Sequence, residues 1–97
     1  MKKIEDIISM LKDKPAMYIG RHSIFCLRAY LSGLLWENNS ISNLKLIDEF
    51  QIYIEKKYKV NTSHSWADII LFFSSDENNA LDNFFILFED FLNLRDA

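Results

Sequence analysis

Ser65-Trp66-Ala67-Asp68-Ile69-Ile70-Leu71-Phe72-Phe73-Ser74 is the stretch on which the fold turns. Its run Ile69–Phe73 is continuously apolar, which by itself suits a buried strand as well as a buried helix. A strand needs a neighbour to take its backbone hydrogen bonds, and no other segment offers a convincing one. Ser65 followed by Asp68 has the spacing of a capping box, with Asp where Glu is usual. The stretch is therefore expected to be a short buried helix from Trp66 to about Ser74.

The flanking segments carry the 3.6-residue period of helices. In 43–60, Leu46, Ile47, Phe50, Tyr53, Ile54 and Tyr58 share one broad face, and Ile52 stands on the charged side. Glu55 and Lys59 are in the favourable i, i+4 order. On the other side, Ser75 or Asp76 caps a helix over about 77–93, with Glu77 favourable in its first turn. Leu81, Phe84, Phe85, Phe88, Phe91 and Leu92 spread over half of that helix.

Towards the amino end, Ser23 caps a helix over 24–37 with a stripe of Ile24, Leu27, Leu31, Leu34 and Leu35. Phe25, Ala29 and Trp36 add apolar surface on another side, which places this helix centrally. Gly33 is tolerable there if another helix approaches closely. Asn38-Asn39-Ser40 closes it. Residues 15–22 are expected to be a loop whose Met17, Tyr18 and Ile19 tuck under the helices, with Gly20 taking a positive φ. Residues 2–14 form the first helix, with Ile4, Ile7, Ile8 and Leu11 inward and Pro15 ending it.

These segments make one domain, 1–97, of all-α class: a compact bundle of about five helices. Composition agrees. Two Gly and one Pro in 97 residues cannot supply the turns of a many-stranded sandwich. With 49% hydrophobic and 26% charged residues, the chain has enough apolar side chain to offset ordering entropy. No segment approaches the apolar length of a membrane span, and the amino end lacks a secretory signature, so the expected location is the cytoplasm.

Charge is uneven. Residues 1–60 carry ten Lys/Arg and seven Asp/Glu, whereas 61–97 carry Arg95 alone against seven acids. An acidic half suits a basic protein partner better than it suits nucleic acid. A weak nucleic-acid reading would use Lys12, Lys14, Arg21 and Arg28, but no DNA-reading helix accompanies them.

Little points to catalysis. Cys26 is the single cysteine and lacks an evident base, so it reads as a small core residue. His22 and His64 have no metal-ligand spacing. His64 is expected to shape the turn before Ser65. There is no glycine-rich phosphate loop and no nucleophile elbow, so neither a cofactor nor an enzymatic reaction is expected. The residues expected to matter are Asp82, Ile86, Glu89 and Asp90. Ile86 falls among acids on the outer face of the last helix, an apolar anchor within a charged rim.

Lys14-Pro15-Ala16-Met17-Tyr18-Ile19-Gly20, Ser23 and Leu27-Arg28-Ala29-Tyr30-Leu31-Ser32-Gly33 resemble a pattern of small bacterial immunity proteins. Ser65-Trp66-Ala67-Asp68-Ile69-Ile70 and Phe84-Phe85 fit the same pattern. The family is that of contact-dependent growth inhibition and related polymorphic toxin systems, and the resemblance spans about residues 14–92. It implies a cytoplasmic inhibitor that binds a cognate toxin domain, often a basic nuclease, without itself touching nucleic acid or membrane. The alternative is a helical adaptor or a homodimeric module with an aromatic seam, although nothing in the sequence indicates a homo-oligomer.

Overall fold

The computed structural model describes residues 3–38, 41–60 and 64–96. The described residues form six helices and no strand: α1 Ile4–Asp13, α2 Pro15–Ile19, α3 Ile24–Asn38, α4 Ile41–Tyr58, α5 Trp66–Phe72 and α6 Glu77–Asp96. The all-α class stands, and the apolar run after Ser65 is helical. The radius of gyration, 12.7 Å, matches the roughly 12.5 Å of a compact chain of this length. Lys2, Asn39 and Ser40, expected at helix ends, lie outside the described residues.

Three of the helix starts have a local cause. Ser23 Oγ accepts from the Phe25 backbone N–H at 3.2 Å, capping α3. Ser65 Oγ does the same for Asp68 at the start of α5, at 3.4 Å. Asp76, rather than Ser75, caps α6: its carboxylate accepts from the Asn79 N–H at 2.7 Å. Asn79 reaches back to the Ser75 N–H at 3.0 Å, a reciprocal pairing that closes the turn.

Helices α4, α5 and α6 enclose an aromatic centre. Phe50 is fully buried on α4, and its ring meets Trp66, Phe84, Phe88 and Phe91 edge-on at 5.2–5.6 Å. Such edge-to-face pairs add to the area each ring buries. Helix α3 packs on α5 and α6, and α1 seals the core with Ile4, Ile7, Ile8 and Leu11, all buried.

Several expectations need correction. The segment 15–22 is not all loop: Pro15 ends α1 and starts α2, because its fixed φ and missing N–H suit a first helical position. Met17 and Tyr18 do not tuck under; they are 74% and 43% exposed, and Ile19 alone of the three packs on the core. Phe25, Ala29 and Trp36 are exposed, so α3 lies against the core on one side instead of centrally. Cys26 accordingly is only half-buried. On α5, Ile69 and Ile70 are buried as expected, but Phe72 and Phe73 face outward because the helix ends before another turn can bring them in. Helix α4 likewise stops at Tyr58, and Lys59 adopts φ +55°, so Glu55 and Lys59 do not pair across a helical turn.

Candidate functional site

Helix α6 turns Ala80, Leu81, Phe84, Phe85, Leu87, Phe88 and Phe91 inward. That phase leaves Asp82, Ile86, Glu89 and Asp90 outside, one helical turn apart along the same face. Ile86 is 59% exposed, as its neighbours in sequence implied.

The acids around Ile86 have partners. Asp82 Oδ1 lies 2.8 Å from His22 Nε2, and Lys12 Nζ donates to Glu89 Oε2 at 2.9 Å. One turn before Asp82, Arg21 donates to Glu77 at 3.0 Å. Residues 12–22 thus set the side chains of Lys12, Arg21 and His22 along α6, and Ile86 sits between two of the resulting pairs. Its hydrogen bond to Glu89, and then the charge of that carboxylate, holds the Lys12 ammonium above the usual lysine range. Asp90 is exposed and makes no ion pair among the described residues. A shallow groove of about 240 Å³ runs beside this face between α1 and α6, floored by Ile8, Phe85 and Phe88 and bridged by Lys12 and Glu89.

The charge layout read from the sequence therefore changes meaning. Of the seven acids in 61–97, Asp68, Glu77 and Glu89 pair with Arg28, Arg21 and Lys12 from the first half of the chain, and Asp82 meets the ring of His22. Much of the negative charge expected to await a basic partner is already answered within the molecule.

A polar cluster lies elsewhere, at the start of α5. Arg28 Nη1 is 3.4 Å from both Ser65 Oγ and Asp68 Oδ1. Gln51 from α4 accepts from the Trp66 N–H at 2.6 Å and donates to the His64 carbonyl at 3.1 Å. His64 thus shapes the turn through its backbone. Among the described residues no group of His, Cys, Asp and Glu gathers that could hold a metal ion. No described helix is long and apolar enough to cross a membrane.

Two apolar surfaces escaped sequence reasoning. Trp36 is 89% exposed and, with Leu35, Leu44 and Ser32, borders a groove of about 700 Å³. Its position on the side of the helix away from the Ile24, Leu27 and Leu31 stripe was the available signal. Phe72, 81% exposed, and Phe73 border a second groove of about 710 Å³. Helical phase alone did not predict it, since it depends on where α5 stops. In comparisons with known protein families, curated proteins and solved structures, the chain matches none.

Proposed function

We propose that this chain is an immunity protein that neutralises a cognate bacterial toxin domain by stoichiometric binding, with the Ile86 face of α6 as its contact surface. The observation that carries this reading is Ile86 itself, exposed between the Asp82–His22 and Glu89–Lys12 pairs. An apolar anchor inside a charged rim is the usual anatomy of a protein-binding hot spot. The resemblance to immunity proteins supports the same reading, and several of its residues are scaffold: Ser23 and Ser65 cap helices, Gly20 takes φ +82°, and Trp66, Phe84 and Phe85 are buried, whereas Met17 and Tyr18 are exposed. Partner choice would then fall to exposed positions such as Ile86 and Asp90.

The partner fits best as a basic nuclease domain whose cations meet Asp90 and compete with Lys12 and His22 for Glu89 and Asp82. Its inhibition would need no chemistry from this chain. The experiment is co-expression with the toxin domain encoded by the gene directly upstream. Growth arrest by the toxin should be relieved by the wild-type chain and less so by Ile86→Ala, which should dissociate faster. Growth arrest that persists with the wild-type chain present and folded would overturn the reading.

A further inference from the structure

Three side chains reach α6 from residues 12–22, and one of them differs from the others in kind. Lys12 and Arg21 keep their charge throughout the neutral range, so their pairs with Glu89 and Glu77 do not change there. His22 meets Asp82 at 2.8 Å through Nε2, and an imidazole gains or loses its charge between about pH 5 and 8. Asp82 stands one helical turn before Ile86, at the i, i+4 spacing that sets the two side by side.

The ring is held opposite Asp82 by the chain on both sides of it. Gly20 turns the backbone at φ +82°, Arg21 donates to Glu77 at 3.0 Å, and the Ser23 N–H bonds to the Arg21 carbonyl at 2.9 Å. Ser23 itself is buried and caps α3. The His22 side chain is 32% exposed, so protons reach it without any opening of the fold. The surrounding charges have other partners or face water. On α6, Glu77 holds Arg21, Glu89 holds Lys12, and Asp76 accepts from the Asn79 N–H. On α3, Arg28 is turned to Asp68, and Cys26 and Tyr30 are half-buried. On α1 and α2, Asp13, Lys14 and Tyr18 are exposed. The partial positive charge at the start of α3 works against a cation at His22, but it is spread over a turn, whereas Asp82 is in direct contact.

We propose that His22 is a pH-operated clasp on the Ile86 face. Protonated, it forms an ion pair with Asp82 and withholds that carboxylate from a cation of another protein. Neutral, it offers Asp82 only a weaker hydrogen bond, from which an incoming lysine or arginine takes the carboxylate over. The inference rests on the toxin-binding reading and adds its regulation: the basic partner binds more tightly as pH rises through the imidazole range. The sign follows from linkage, since a cation that displaces protonated His22 from Asp82 favours loss of that proton. An exposed ion pair shifts an equilibrium about two- to fivefold, which sets the size of the effect.

Two measurements test the clasp. Urea unfolding of the wild type, His22→Gln, Asp82→Asn and the double variant gives the coupling between the two side chains without any partner. That coupling should change the unfolding equilibrium constant about two- to fivefold at pH 5.5 and fall towards unity at pH 8. The toxin domain encoded by the gene directly upstream is then bound to wild type and to His22→Gln at the same two pH values. The toxin's own titrations cancel in the ratio of the two affinities. His22→Gln, a permanently neutral donor, should bind about two- to fivefold more tightly than wild type at pH 5.5 and equally at pH 8. Coupling that is the same at both pH values, or an affinity ratio that does not change with pH, would overturn the clasp and leave the toxin reading in place. Coupling confined to acid in a chain that binds no toxin would support the clasp and overturn the toxin reading instead.

Discussion

Asn43 and Gln51 satisfy helix ends that are distant from them in the chain. Asn43 Oδ1 accepts from the Ile4 N–H at 3.1 Å across 39 positions, doing for α1 what Lys3 at its N-cap does not. Gln51 serves α5 in the same way. Removing the buried acceptor should leave an unpaired N–H, so Asn43→Ala should lose about 1–3 kcal/mol in urea unfolding. The two glycines should respond in opposite directions. Gly20 sits at φ +82°, where an alanine Cβ is strained, so Gly20→Ala should lose about 1–2 kcal/mol. Gly33 lies inside α3 with nothing within 4 Å of where a Cβ would stand. The close approach expected there is absent, and Gly33→Ala should gain about 0.5–1 kcal/mol in the same measurement.

Helices read from period and caps alone were those whose core face and ends are local. The stripe of α1, the caps Ser23, Ser65 and Asp76, and the outward Ile86 of α6 all follow from residues within a few positions of one another. What escaped depends on distant packing. Nothing in Pro15-Ala16-Met17-Tyr18-Ile19 says whether Tyr18 meets a neighbour, because that is set by how α1 and α3 straddle it. Its ring is substantially exposed, so Tyr18→Ala should cost less than about 1 kcal/mol of stability; a larger loss in a thermal melt would restore the ring to the core. The candidate face on α6 was legible in its exposure but not in its pairing. Lys12, Arg21 and His22 reach it from 56–77 positions away, and no local pattern encodes that meeting.

Across the whole molecule, the cationic first half closes onto the acidic last helix, and the Lys12–Glu89 bridge is the part of that closure with a distinct alkaline pH signature. The folded state holds the Lys12 ammonium above the usual lysine value, chiefly through its hydrogen bond to Glu89. Its contribution is therefore complete below that usual value and is lost as pH rises through the folded one. The stability gap between wild type and Lys12→Gln should be level from about pH 6 to 9 and shrink above about pH 10. Salt should narrow it as well, since both side chains are exposed and screened. A gap that persists unchanged at about pH 11.5 would mean that the lysine stem contributes by covering the α1–α6 groove, not by charge. The same variant bears on function. Without Lys12, Glu89 is free to attract cations, so a basic toxin domain should associate faster with Lys12→Gln than with wild type, most clearly at low salt. Slower association would instead place Lys12 itself in the contact, against an acidic region of the partner.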